Sequence, residues 1–134
     1  MFGHSIFHLI KFYIQMKKTL VVGASLKPNR YSNIAIQRLA AYNVEVEAIG
    51  LRKGVVAGVE IAAEKIPFEN IHTVTLYLNP KRQEEYYNYI ISLKPKRVVF
   101  NPGTENPEFY ELLRSERVEV EVACTLVLLS TNQY

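Results

Sequence analysis

Aspartate is missing from this 134-residue chain, and all 13 acidic residues are Glu. That absence removes mechanisms whose named group is Asp: aspartyl-phosphate formation, Asp-rich calcium loops and Asp-dependent phosphoryl transfer. Cysteine occurs once, as Cys124. No disulfide can close within one chain, which fits a reducing, cytoplasmic setting. No apolar run approaches the roughly 18 residues of a spanning helix, so no membrane partner is expected. Two phosphate-binding signatures, G-x-G-x-x-G and G-x-x-x-x-G-K-[ST], are also absent. Histidine is scarce. His4 and His8 have i, i+4 spacing, but no Cys or Asp completes a metal site, and none is expected. His72 has no Asp to orient it and reads as a surface residue. The chain therefore offers no nucleophile–base–orienter set, which argues for binding rather than catalysis.

What is present is ordinary for a globular domain: 49% hydrophobic and 22% charged residues. The length is that of one domain with a core needing neither disulfide nor metal. Positive charge is uneven. Residues 1–58 hold eight Lys/Arg and two Glu, whereas residues 59–134 hold eight and eleven. An excess of cations in one half points to an anionic partner for that half. Residues 1–15, MFGHSIFHLIKFYIQ, are apolar and aromatic but lack the charged start and small-residue cleavage site of a signal peptide. Met16 opens MKKTLVVGAS like a protein start. Residues 1–15 therefore read as an N-terminal extension to a domain spanning 16–134. The alternative is an amphipathic helix docking on a partner or a membrane surface.

From there the chain alternates strand and helix patterns. Residues 19–22 are apolar and β-branched and end at Gly23. Residues 32–42 have helical spacing, and Asn43 follows where a left-handed residue is wanted. A strand over 44–49 leads into a Gly- and Lys/Arg-containing excursion, 50–58. After the break at Ile66-Pro67, a strand over 73–78 ends in Asn79-Pro80, an N-cap followed by a residue preset for the first helical position. A helix over 80–93 stops at Pro95. A strand over 97–100 precedes Asn101-Pro102-Gly103, Asn106-Pro107 repeats the cap, and 118–123 form a fifth strand. Residues 125–130 fit a short helix or an extended tail equally. This alternation predicts an α/β, doubly wound three-layer fold with a mainly parallel five-stranded sheet. Ligands of such sheets bind outside the strands' carboxyl ends, where strand order reverses.

Val21 to Ser32, VVGASLKPNRYS, falls at such an end. A Gly turn opening onto a helix lets backbone amides approach a phosphate. Lys27 and Arg30 add charge, and Ser25 and Asn29 add hydrogen bonds. A plain NAD site wants an acid after the second strand, for the ribose hydroxyls. Here Arg52 and Lys53 follow that strand. A cation there favours a phosphorylated ribose, as in NADP or coenzyme A.

Val21-Val22-Gly23-Ala24-Ser25, then Asn29-Arg30-Tyr31-Ser32, resembles the opening of the small stand-alone CoA-binding proteins, relatives of the CoA-binding domain of succinyl-CoA synthetase. The resemblance continues through Leu51-Arg52-Lys53-Gly54, Asn79-Pro80, Asn101 to Asn106 and Ala123-Cys124, so it covers about residues 16–130. Two positions depart from the family pattern. Asn43 stands where Gly is usual, and Gly50-Leu51 where Asn-Pro is common. The resemblance implies a Rossmann-like domain that binds coenzyme A or acyl-CoA, with the diphosphate on Gly23, Ala24 and Ser25, flanked by Lys27 and Arg30. It puts the 3′-phosphate on Arg52 or Lys53, the adenine beside Asn79 and Pro80, and the pantetheine along Asn101, Pro102 and Gly103.

Cys124 has two readings: a thiol near the CoA sulfur, capable of a mixed disulfide, or a small packing residue. Glu116, Glu119 and Glu121 alternate with valines, as on an edge strand. Tyr86 and Tyr89 fall on a helical packing face. Basic residues are not interleaved with exposed aromatics, so no nucleic-acid partner is expected. Two further classes stay open: an NADP-linked or other nucleotide-dependent enzyme, and a protein-interaction subunit with a regulatory or vestigial nucleotide site. A protein partner or homo-oligomer would suit the latter.

Overall fold

The computed structural model describes residues 6–134, so His4 lies outside the described residues. Its elements are α1 (Ile6–Gln15), β1 (Thr19–Ala24), α2 (Tyr31–Ala41), β2 (Val46–Gly50), β3 (Gly54–Val56), β4 (Val59–Ala62) and β5 (Thr73–Leu76). They continue with α3 (Pro80–Gln83), a 3₁₀ turn (Glu84–Tyr86), α4 (Tyr87–Ser92), β6 (Arg97–Phe100), α5 (Pro107–Ser115), β7 (Glu119–Val122) and α6 (Thr125–Ser130). The sheet order is β3-β4-β2-β1-β5-β6-β7. All pairings are parallel except β3 with β4.

Leu20, Val21 and Val22 on β1 are fully buried, as a central parallel strand covered on both faces requires. The two-residue period sorts its side chains. Leu20 and Val22 join Val74, Leu76, Val98, Phe100, Ile90, Phe109 and Leu113 in a core on one face. Val21 joins Ala48, Ile36, Leu39, Leu129 and Tyr134 on the other, and so does Ala24, which the register shift after Val22 turns to that face. The first core lies under α4 and α5, the second under α2 and α6. The chain therefore winds one way from β1 to β2 and the other way from β5 to β7. Strand order reverses between β1 and β5, and this locates the ligand end of the sheet. Ile14 of α1 is buried in the second core, and Ile10 packs against it. Among the described residues, no helix is long and apolar enough to cross a membrane.

The sheet has seven strands, not five. The segment expected as an excursion forms the β3–β4 hairpin, and β4 extends the parallel sheet beside β2. No helix separates β2 from β5. The two-residue turn is Ala57-Gly58, with φ of 50° and 79°, as a type I′ turn requires. Alanine in the first position hides it, because Asn-Gly or Asp-Gly is the usual signal. The helix expected over 80–93 is broken by the 3₁₀ turn. Residues 125–130 form a helix. Asn43 has φ 60°; its amide donates to Ala40 O, and that of Val44 to Leu39 O. These two bonds close α2 as a Schellman motif without glycine. Strand β7 is an edge. Its Glu121 pairs with Arg97 at 3.3 Å, so one of the alternating glutamates has a partner on β6.

Candidate functional site

β1 parts from β5 after Val22 and bends at Gly23, whose φ of 93° lies in the left-handed region. Its pairing with β2 shifts register between Val22 and Ala24. A Cβ on Gly23 would lie 3.0 Å from Leu78 Cδ2 and from the Tyr77 carbonyl carbon. A Cβ on Gly50 would lie 2.3 Å from Ala24 O. Glycine is thus required on both strands for the loop backbone to pass between the ends of β2 and β5.

Beyond Ala24 the loop is held by its own polar groups. Ser25 Oγ accepts from the Lys27 amide at 3.1 Å, and Ser25 O accepts from Asn33 Nδ2 at 2.9 Å. Asn33 is buried and in turn accepts from Gln37. Helix α2 then begins at Tyr31. Its N-cap, Arg30, makes no side-chain cap, and no acidic residue occupies the first turn. The first amides of a helix have no acceptor in a preceding turn, so this end of α2 favours an anion.

A cleft of about 890 Å³ opens above this loop, within the usual range for small-molecule sites. It is lined by Gly23, Ala24, Ser25, Lys27 and Arg30 from the first loop, Arg52 after β2, Asn79 after β5, and Pro102 and Gly103 after β6. These nine residues, singled out in the sequence, line one cleft. Asn29, Lys53 and Pro80 are exposed but do not line the cleft. Asn101 is 2% exposed. Its Nδ2 donates to Thr75 Oγ1 and Leu76 O, and its Oδ1 accepts from the Thr125 amide. Its side chain therefore ties β5, β6 and α6 together beneath the cleft. Cys124 is a half-exposed free thiol at the N-cap of α6, outside the cleft lining.

Several cleft residues escape the sequence reading. Arg82 brings a fourth cation, and Glu85 brings the acid of the lining. Among the described residues, no ion pair engages Lys27, Arg30, Arg52 or Arg82. The signal for Arg82 lies in the cap: Asn79 Oδ1 accepts from the Arg82 amide at 2.9 Å, which fixes that turn against the cleft. Leu26, Tyr31, Leu51, Tyr77, Leu78 and Tyr86 supply apolar surface. The Tyr77 hydroxyl is buried near Thr75 and Thr125, with no well-formed hydrogen bond among the described residues, and burial pushes its pKa upward. Tyr86 both lines the cleft and packs on the core, with the Lys65 ammonium 4.9 Å above its ring. A second hollow, about 480 Å³, lies at the opposite end of the sheet among Lys94, Lys96, Glu116 and Arg117.

Residues 17–130 match a family described as a CoA binding domain. The chain belongs to the CoA-binding domain family. An uncharacterized protein of known crystal structure shares 49% identity with this CoA-binding domain at a TM-score of 0.86, over 89% of this chain and 98% of that one. A hypothetical protein from Pyrococcus horikoshii OT3 shares 26% identity at 0.79, over 98% and 94%. A protein from Thermus thermophilus, at 20% identity and 0.78 over 94% and 97%, has the same fold. No curated protein gives a significant match.

Proposed function

We propose that the chain is a non-catalytic binding module for coenzyme A or an acyl-CoA. The observation that carries this reading is the set of four cations without ion pairs, Lys27, Arg30, Arg52 and Arg82, around a cleft floored by a glycine turn and a helix start. CoA carries a diphosphate and a 3′-phosphate, so its charge suits such a rim. In this reading the diphosphate takes the amides after Gly23 and at the start of α2, flanked by Lys27 and Arg30. Arg52, with Lys53 beside it, meets the 3′-phosphate. The adenine takes the apolar wall near Leu51 and Asn79, and the pantetheine runs toward Pro102 and Gly103. Nothing in this cleft pairs a nucleophile with a base, so the ligand is held rather than converted. A reducing cytoplasm is the setting that a lone cysteine fits.

Thermal unfolding with CoA, acetyl-CoA, NAD and NADP tests the proposal. Ligand at a hundredfold excess over Kd adds about 2.7 kcal/mol. For a domain of this size that raises Tm by roughly 10 °C. The expected result is a shift with CoA that NAD does not reproduce, lost in Arg52→Ala/Lys53→Ala. A shift with NADP and none with CoA would overturn it in favour of a dinucleotide enzyme. Silence toward all four would favour an interaction subunit.

A further inference from the structure

Gln83 is the last residue of α3, and its side chain is completely buried. Its Nε2 donates to Leu78 O and to Thr104 O, each at 2.8 Å. Its Oε1 accepts from Asn106 Nδ2 at 2.9 Å. Leu78 and Thr104 both line the cleft, one from the segment after β5 and the other from the segment after β6. The β5–β6 ladder ends at Leu76 and Phe100, so beyond that point the two segments have no strand pairing to set their separation. The Gln83 amide spans the gap. Two donors and an acceptor on one neutral group meet the need; a carboxylate lacks the donors and an ammonium the acceptor. Asn106 fixes the far side, because its Oδ1 caps α5 through the Phe109 amide.

We propose that Gln83 is a positioning residue for ligand binding: it sets the width of the cleft between the β5 and β6 loops, and so the fit of the pantetheine arm. This rests on the CoA reading above. The residue touches no ligand in this scheme and acts through the Leu78 and Thr104 carbonyls that it holds.

The scheme separates the two ends of the ligand. Adenosine 3′,5′-bisphosphate carries the nucleoside, the 3′-phosphate and the first of the two 5′-phosphates but no pantetheine, so it does not reach the Gln83-spanned gap. Calorimetric titration of wild type and Gln83→Met with CoA and with this fragment is the test. The expected result is a roughly tenfold weaker CoA complex and a fragment affinity unchanged within about twofold. Equal losses for both ligands, or a loss for neither, would overturn the proposal. Gln83→Glu provides the same test in a side chain of equal size. Its carboxylate at pH 8 cannot donate, whereas its protonated form at lower pH donates once. CoA affinity, corrected for the wild-type pH dependence, should then recover as pH falls while fragment affinity stays level. A flat CoA profile counts against the proposal as well. Wild type that binds neither ligand would refute the CoA reading itself, a result distinct from any failure confined to the variants.

Discussion

Gly50→Ala is the sharpest probe of how the first loop is held. Gly50 is buried at the end of β2. A Cβ there would stand 2.3 Å from Ala24 O, 3.1 Å from Ala24 C and 3.2 Å from Ile61 Cγ2. The first distance is about 1 Å short of an ordinary carbon–oxygen contact. The obstacle is backbone, so no rotamer change relieves it. Either the loop after β1 or the end of β2 must shift. Overpacking of this kind costs about 1–3 kcal/mol. A cost near 2 kcal/mol lowers Tm by roughly 6–10 °C in a domain of this size. Displacing Ala24 also displaces the Ser25 amide, so CoA affinity should fall by about tenfold or more.

Two other glycines separate the causes. Gly58 has φ 79° and nothing within 4 Å of an added Cβ. Gly58→Ala should cost about 1 kcal/mol of stability from backbone strain, with CoA affinity unchanged. At Gly54 the nearest atom is Leu26 Cδ2 at 2.4 Å, the end of a flexible side chain. Gly54→Ala should therefore leave Tm within a few degrees and alter affinity only through Leu26 at the rim. Differential scanning calorimetry and calorimetric titration read both quantities. Gly50→Ala with wild-type affinity would refute the proposal that the end of β2, by holding the Ala24–Ser25 backbone, positions the first loop for the ligand's phosphates. Gly58→Ala with impaired binding would show that the hairpin turn, not the end of β2, governs the site.

Three further outcomes are expected. Tyr134 is 1% exposed, its hydroxyl 2.6 Å from Thr19 Oγ1 and its ring 4.3 Å from the Arg97 guanidinium carbon. Tyr134→Phe removes only the hydroxyl and should cost about 1 kcal/mol, whereas Tyr134→Ala should cost about 3–5 kcal/mol; equal melting temperatures would contradict that packing. His72 is held below its ordinary pKa by burial and then by Arg97, Lys17 and Lys96, against Glu119. The unfolded chain then binds the proton first as pH falls below about 6.5, so stability is full above that value and declines below it. His72→Asn should flatten Tm between pH 7 and pH 5 (about one unit either side of 6); an unchanged slope would assign the effect to other groups. Cys124 lies outside the cleft lining, so mass spectrometry should show it reacting no faster with CoA disulfide than with glutathione disulfide, and a rate selective for CoA disulfide would restore the thiol to the site.

What the sequence disclosed and what it concealed have a common physical cause. Local chemistry was readable. Gly23 marks the strand exit, Asn79 and Asn106 cap α3 and α5 as their positions before proline predict, and Asn43 takes the left-handed position after α2. These features depend on a few neighbouring residues. The β3–β4 hairpin was hidden because an alanine fills a turn position usually marked by Asn or Asp. Arg82 is not legible because its place in the cleft depends on which way α3 faces, and that follows from Gln83 bonding to the segments after β5 and β6.

The amides show why a polar residue after a strand is an ambiguous sign. Asn79 and Asn101 both precede proline at a strand's carboxyl end, yet one is exposed at the cleft and the other is buried. Asn101 follows Phe100, which lies in the core with Phe109, and beside it Leu76 O, the Thr125 amide and the Thr75–Thr125 hydroxyl pair lie buried beneath the sheet's end. A buried hydroxyl or amide needs a partner, and leaving one without a partner costs about 1–3 kcal/mol. Asn101 answers that need between β5 and α6, as Gln83 does between the β5 and β6 loops. The cations face solvent because no acid pairs with them, and the amides face inward because backbone carbonyls do. Under the proposed CoA reading both sets have a part: the cations attract the ligand's phosphates, and the buried amides hold the segments after β5 and β6 at a fixed spacing.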